Sequence, residues 1–223
     1  VNRLTGSRTI ITRKMQTPPS LTYDQKLKLD DLAERLIASE EPVTILIDGH
    51  EAEISEYLIK KLPHAKVVMD GGSLRASNIK LAAWTDYFVV SEHFARDYMS
   101  YRSLSTEADI KAALIELNKI CRGEAFITLG EKGCAFLKSG MLQIVPSWLC
   151  NAVDTTGAGD VFHGAFTYGV HYSWHIDNII LFASLTAAIS IEKKGVRESM
   201  PDLAVVHHSL NSYERNLKQY FEE

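Results

Sequence analysis

Val43-Thr-Ile-Leu-Ile-Asp-Gly-His50, then Ile54-Ser-Glu-Tyr-Leu-Ile-Lys-Lys-Leu62, then Lys66-Val-Val-Met-Asp-Gly-Gly72: the reading of this stretch decides the fold. The first and third pieces are short apolar runs, Val43–Ile47 and Lys66–Met69, each closed by an Asp-Gly pair. Uninterrupted apolar runs of this length read as strands buried on both faces. The middle piece reads as a helix. A strand, a helix and a second strand in immediate succession imply parallel neighbours with the helix laid across the sheet.

The pattern continues in both directions. Upstream, Thr22 stands three residues before Gln25, the spacing of a capping box, and Leu29, Leu32, Ala33, Leu36 and Ile37 recur on one helical face. Downstream, Tyr87–Val90 reads as a third strand. Ile110, Ala113, Leu114, Leu117, Ile120 and Cys121 mark a further amphipathic helix, and Ala125–Thr128 a fourth strand. Ala135–Lys138 and Leu142–Val145 flank Ser139-Gly140 as an antiparallel pair. Three helices are expected to close the chain, from about Ala158, from Ile176 to Glu192 and from Asp202 to Tyr220. The second is apolar nearly all round and is expected to be buried, and the third carries Leu203, Val206, Leu210, Tyr213, Leu217 and Tyr220 on one stripe. The expected fold is α/β, a mostly parallel sheet flanked by helices on both faces. Val1–Leu4 and Arg8–Thr12 around Thr5-Gly6-Ser7 read as a hairpin, and Pro18-Pro19 marks a boundary after it. This divides the chain into a small β segment, residues 1–16, and an α/β core, residues 17–223.

Composition narrows the function classes. The chain has 223 residues, 46% hydrophobic and 23% charged, with a net charge of −4. That excludes a disordered chain, a collagen and a coiled coil. A pI of about 6.1 gives no basic excess for a phosphate backbone, so no nucleic-acid partner is expected. With a mean hydropathy of −0.07 and no apolar run long enough to span a bilayer, no membrane partner is expected either. The N-terminus lacks the apolar region of a signal peptide, and Cys121, Cys134 and Cys150 have no CxxC spacing. Three reduced thiols and a cytoplasmic location are the expectation.

In open α/β sheets ligands sit at the carboxyl ends of the strands. The segments to weigh are Asp48-Gly49-His50, Asp70-Gly71-Gly72, Ser91-Glu92 and Gly130–Gly133. Asn151-Ala-Val-Asp-Thr-Thr-Gly-Ala-Gly-Asp160-Val-Phe-His-Gly164, which opens the first late helix, belongs with them. Gly157, Ala158 and Gly159 let a ligand approach the backbone closely, and the N–H groups of a helix start favour an anion. Asp160 beside them makes a poor anion binder but a good base. The combination suits phosphoryl transfer, with Asp160 accepting a proton and the Gly157–Gly159 amides holding the developing charge. Composition alone equally allows an ordinary helix start with a capping aspartate.

Asp154–Asp160, DTTGAGD, resembles the C-terminal signature of the ribokinase-like, or phosphofructokinase-B type, carbohydrate kinases. Thr128-Leu-Gly-Glu-Lys-Gly133 resembles that family's ATP-site loop. Lys193-Lys-Gly195 with Met200-Pro201 resembles its closing loop near the adenine. The resemblance runs from the first strand to the C-terminus and implies a ribokinase-like fold with ATP-dependent phosphorylation of a hydroxyl on a sugar or sugar-like substrate. It implies Asp160 as catalytic base, Gly157, Ala158 and Gly159 as anion hole, and Thr128, Gly130, Gly133 and Gly195 as ATP contacts. Asp160 and Arg8 would meet the sugar. ATP and Mg2+ are the implied cofactors, with K+ or another monovalent cation near Asp154, Thr156, Ser190 and Ser199. Glu92 would reach magnesium through water.

The sequence departs from the family in two places. Ser91-Glu92-His93-Phe94 stands where many members carry Asn-x-x-Glu, and ketohexokinase-like members share the serine. The chain also begins in what resembles the family's β lid, with Arg8-Thr-Ile-Ile11 as a lid strand. The strand–helix segment that carries the sugar-binding residues is not seen, so a fragment of a longer parent is expected. The competing function is a non-catalytic nucleotide-binding or oligomerising relative, or a truncated inactive form. Ile10 and Ile11 on an exposed hairpin suit either a homodimer through the lid or a lid folded on its own pocket.

Several other polar residues are weighed against bland readings. His171 and His175, four apart, have the spacing of metal ligands on one helix, but with no third ligand they read as a surface face. His163 and His207-His208 read the same way. His50, Asp48 and His93 lie on the binding rim. Lys132, Lys193 and Lys194 read as exposed loop lysines.

Overall fold

The computed structural model describes residues 20–210. The expected β lid with Arg8, Ile10 and Ile11, and the last helix beyond residue 210, lie outside them. The elements in chain order are α1 (Tyr23–Ala38), β1 (Thr44–Ile47), α2 (Ala52–Lys61), β2 (Lys66–Gly71), α3 (Ala76–Ala82), β3 (Tyr87–Ser91), α4 (Glu92–Tyr98), α5 (Glu107–Ile120) and β4 (Glu124–Thr128). They continue with β5 (Cys134–Lys138), β6 (Met141–Val145), α6 (Ala158–His171) and α7 (Ile176–Ser190). Residues 203–210 form a further helix.

The strands make one six-stranded sheet in the order β1-β2-β3-β4-β5-β6. The first four are parallel, and β5 and β6 extend the sheet as an antiparallel pair. Alternation along each strand divides the core in two. Val67, Met69, Phe88, Val90, Ala125 and Ile127 face one layer, where Ile59 of α2, Leu81 of α3, Phe94 of α4 and Leu114 of α5 cover them. Val68, Val89, Phe126 and Phe136 face the other, against Phe162 and Phe166 of α6, Ile179 and Phe182 of α7, and Val206. A strand buried on both faces needs apolar residues at every position, which is why these strands appear as continuous runs. Phe126 meets Phe166 edge to face at 5.3 Å between ring centres. α6 and α7 pack closely at Gly169, where an added Cβ would stand 2.9 Å from Ile179.

Most of the expected elements are present. The capping box at α1 is made, Thr22 taking the Gln25 amide and Gln25 the Thr22 amide. The apolar helix α7 is buried along most of its length. Of the final helix's stripe, Val206 is buried and Leu210 packs beside it, while Leu203 is exposed. Four expectations are corrected. Val43–Ile47, expected as a buried strand, forms β1 at the edge of the sheet, with Leu46 exposed. β2 runs on through Asp70 and Gly71, so the turn begins at Gly72. His171 and His175 do not share a helix: the chain turns at Ser173, in the left-handed region with φ +55°, leaving His171 at the end of α6 and His175 before α7. His171 bonds Thr44 and His175 pairs with Asp177. His163 is not on a surface face but buried.

Candidate active site

Parallel pairing puts the carboxyl ends of β1 to β4 on one edge, and the start of α6 comes to that edge. Its geometry begins with Gly157. This residue sits at φ +77°, and a Cβ there would stand 2.7 Å from Cγ1 of Val196, so conformation and space both require glycine. No side chain caps α6. α2, α3 and α7 also start without a side-chain cap, whereas α1, α4 and α5 have a hydroxyl cap, from Thr22, Ser91 and Thr106. The Ala158 amide turns back to the Thr155 carbonyl at 3.3 Å. Gly159 and Asp160 follow, both exposed. A helix start without a cap leaves amide donors and the positive end of the dipole facing outward.

The segment before α6 is held from below. Asp154 is buried, and its carboxylate accepts the amides of Thr156 (3.0 Å) and Gly195 (3.3 Å). Hydrogen bonding to Thr156, with a smaller contribution from Gly195, holds this carboxyl below its ordinary range. The Val153 and Asp154 amides both donate to the Ile191 carbonyl at the end of α7. Ser199 donates to the Gly195 carbonyl at 2.6 Å, and Ser190 to Ala187 at 2.7 Å. Asp154, Ser190 and Ser199 are thus buried around one junction, with Thr156 half-buried beside it. Gly195 closes it in the left-handed region.

After β4 the chain makes a single 3₁₀ turn, Gly130–Lys132, before β5. Leu129 donates to the Gly133 carbonyl at 2.7 Å and Gly133 to Gly130 at 3.0 Å. Gly133 lies at φ +101°, and a Cβ there would stand 2.0 Å from the Val145 carbonyl oxygen. The turn opens on a cavity of about 620 Å³. Thr128, Gly130 and Gly133 line it together with Ala158 and Gly159. Trp148 and Cys150 form one side, and Ala187, Ala188 and Ile191 of the α7 end another. The expected ATP-loop residues and two of the three expected anion-hole residues therefore share one cavity. Gly157, Asp160 and Gly195 lie outside its lining. Trp148 is fixed by donating to the Leu181 carbonyl at 3.1 Å. Sequence reasoning missed Trp148, Cys150 and the α7 wall, which lie outside any motif.

On the other side of the α6 start, Asp48, Asp70 and Asp160 converge from β1, β2 and α6. Burial pushes the Asp70 carboxyl above its ordinary range. The neighbouring His163 opposes this, while the charges of Asp160 and Asp48 reinforce it. Asp48 caps its own turn by accepting the His50 amide at 2.9 Å, and buried Asn78 donates to the Asp48 carbonyl at 3.1 Å. His50 is exposed on this rim. At the end of β3, Ser91 serves as the cap of α4, accepting the Phe94 amide at 3.0 Å and donating to the Gly72 carbonyl at 2.9 Å. Glu92 stands half-buried in the first turn beside it. Among the described residues no group of three or more His, Cys, Asp or Glu side chains is placed to hold a metal ion.

The fold and this edge together define an α/β protein with a ligand cavity at an uncapped helix start. Residues 67–203 match the model of the pfkB family of carbohydrate kinases, more than half the chain, and the chain belongs to that family. The ribokinase of Lactococcus lactis is 29% identical over 189 residues, which is 85% of this chain and 60% of that protein. The deoxyribokinase of Salmonella typhi is 31% identical over 131 residues, 59% of this chain and 42% of that one. Among solved structures, ribokinase of Arabidopsis thaliana complexed with ribose and ATP superposes with a TM-score of 0.67 at 21% identity, covering 86% of this chain and 60% of that chain. Ribokinase of Giardia lamblia gives 0.69 at 22%. The shared fold is ribokinase-like, and the chain spans about 60% of the length of the first of these relatives.

Proposed function

We propose that this chain carries the nucleotide-binding and catalytic part of a carbohydrate kinase that transfers the γ-phosphoryl group of ATP to a hydroxyl of a sugar or sugar-like substrate. The observation that carries this reading is the uncapped start of α6, with Gly159 and Asp160 in its first turn, opening on a cavity shared with the Thr128–Gly133 loop. In this reading Asp160 takes the proton of the attacking hydroxyl. The hydroxyl oxygen bonds to the γ-phosphorus as the bond to the bridging oxygen breaks, and ADP leaves. The amides of Gly157 to Gly159 face the charge on the transferred group. Arg8 is proposed to meet the sugar.

The nucleotide would lie in the cavity between the Gly130–Gly133 turn and the end of α7, with Gly195 at its far side. Magnesium, held mainly by the phosphates and water, supplies charge neutralisation when bound. Glu92 would order its water. The junction around Asp154 fits a monovalent cation by the chemistry of its donors, a buried ionised carboxylate among hydroxyls and carbonyls. Asp154, Thr156, Ser190 and Ser199 would lie around it. A cytoplasmic location and a homodimer through the N-terminal hairpin complete the proposal.

The test is ATP turnover over a panel of pentoses, ketohexoses and nucleosides, with calorimetric ATP binding in parallel. Acceptor-dependent ADP release that Asp160→Asn lowers about 10²- to 10⁴-fold, with ATP affinity nearly unchanged, supports the assignment. Turnover that survives in Asp160→Asn removes the residue from the role. ATP binding without transfer to any acceptor selects the alternative, a non-catalytic nucleotide-binding relative, which the Ser91 cap in place of Asn-x-x-Glu favours, or a truncated inactive form of such a kinase.

A further inference from the structure

Asp70 and His163 are 93 positions apart in the chain and meet beneath the start of α6. His163 is only 3% exposed. Its Nδ1 lies 2.7 Å from the Gly159 carbonyl oxygen and 3.3 Å from Oδ2 of Asp70, and its Nε2 lies 3.2 Å from the Val89 carbonyl oxygen. A carbonyl oxygen only accepts. A neutral imidazole has one N–H and one bare nitrogen, so it would turn a lone pair toward one of the two carbonyls. When both ring nitrogens are protonated, Nδ1 donates to Gly159 and Nε2 to Val89, and the Asp70 carboxylate, 3.3 Å from Nδ1, supplies the opposite charge.

The ring therefore ties three elements together at one point: α6 through Gly159, β2 through Asp70 and β3 through Val89. Gly159 and Asp160 are adjacent in the turn that this ring holds. The groups facing Asp70 are His163 from α6, Asp160 from the same turn, Asp48 from the end of β1, and the amide of Gly72. Asp70 thus stands between this imidazole and two further carboxylates. Without it, Asp48, Asp70 and Asp160 would repel one another and the first turn of α6 would lose its anchor to the sheet.

We propose that Asp70 and His163 are a positioning pair, an ion pair that aims the Gly159 amide and the Asp160 carboxylate at the reacting phosphoryl group without touching substrate themselves. This rests on the kinase reading for its consequence, but not for its geometry. Neither residue lines the nucleotide cavity, so the pair governs transfer rather than ATP binding.

The experiment has two arms on the whole chain. In the first, histidine carrying ¹⁵N is incorporated and the His163 signal is assigned by its loss in His163→Gln. Two ring N–H groups are expected, and a ring with one bare nitrogen overturns the pair. In the second, His163→Gln, Asp70→Asn and the double variant are compared with wild type. Each single variant is expected to lower kcat about 10- to 100-fold, the scale of a small misplacement of reacting groups, with KM for ATP within about twofold. The double variant is expected to be no slower than the slower single one, because the two act as a unit. Unchanged kcat, a loss confined to KM, or additive losses overturn the proposal. Circular dichroism and melting curves on all three variants show whether a loss of rate is a loss of fold, and His163→Asn, with a shorter donor, is the substitute if His163→Gln does not fold. A wild-type chain that phosphorylates no acceptor selects a non-catalytic relative or a truncated inactive form, and the ring spectrum alone then decides the pair.

Discussion

Gly159→Ala separates what the fold needs from what the site needs. Gly159 lies in the first turn of α6, and a Cβ built there meets no atom within 4 Å. Glycine costs a helix interior about 1 kcal/mol relative to alanine, somewhat less near an end, so the substitution should stabilise the chain by about 0.5 kcal/mol. At 2–4 °C per kcal/mol for a domain of this size, Tm rises by about 1–2 °C. Gly157→Ala, two residues earlier, should do the reverse. It forces a non-glycine residue to φ +77° and sets a methyl 2.7 Å from Val196. The left-handed conformation costs roughly 1–2 kcal/mol and the contact adds to it, so Tm falls by about 4–8 °C. Ligand binding ranks the two differently. A methyl on Gly159 meets open space at the exposed start of the helix, on a residue that lines the cavity, and is expected to crowd a phosphate there. Phosphate is then held off the amide, and ATP affinity should fall about tenfold, equivalent to about 1.4 kcal/mol. Melting curves followed at 222 nm and calorimetric ATP titrations measure the two quantities on the same samples. A Gly159→Ala chain that melts at or above the wild-type temperature and binds ATP as tightly as wild type refutes the reasoning, because it shows a free helix start that the nucleotide does not use.

Gly133→Ala should destabilise more than Gly157→Ala, since its methyl meets a main-chain carbonyl at 2.0 Å instead of a side chain that can turn away; urea titration gives the ranking. Phe166→Ala, fully buried among Tyr87, Phe126 and Phe162, should cost about 3–5 kcal/mol by the same titration. The Asp154 carboxyl is held below its ordinary value, so its contribution is complete above the unfolded value near 3.8 and is lost as pH falls through the lower folded value. Acid melts of Asp154→Asn should therefore converge on wild type toward low pH and diverge above about pH 4. ATP should slow labelling of Cys150, which lines the cavity, without affecting Cys121, whose thiol burial pushes up to about 11; peptide mass mapping after timed alkylation distinguishes them.

The central strands β2, β3 and β4 were legible because they are buried on both faces and so appear as apolar runs such as Val-Val-Met and Phe-Val-Val. The seven-residue helices α3 and α4 were not, because helices that short have no intrinsic stability and form only where Leu81 and Phe94 find the sheet. The DTTGAGD segment showed its glycines, its aspartates and its place at a helix start. It could not show that Asp154 turns down to Gly195 while Asp160 points away, since that depends on a loop 41 residues later. His163 is the clearest failure. On α6 it looked like its exposed neighbours, and only the register of β2 against β3 brings Asp70 and Val89 to its two nitrogens.

The way α6 begins ties these observations into one argument. A helix can spend its orphan amides on a hydroxyl cap, as α1, α4 and α5 do here, or start without a side-chain cap, as α2, α3, α6 and α7 do. Of the uncapped starts α6 is the one on a left-handed glycine, a choice worth about a few tenths of a kcal/mol less to the fold than a hydroxyl cap. The surrounding residues make up the difference without occupying the amides. Asp154 takes the N–H groups of Thr156 and Gly195, which lie before the helix and across the loop, and His163 takes the carbonyl of Gly159, which points down the axis. Both anchors bind the segment firmly while leaving the outward side of the first turn open. A carboxylate evolved to cap the helix would instead have reached those amides, and Asp160, one residue along, is exposed and does not. The start of α6 is thus over-determined from within and unsatisfied from without, the arrangement expected where an anionic ligand completes the helix.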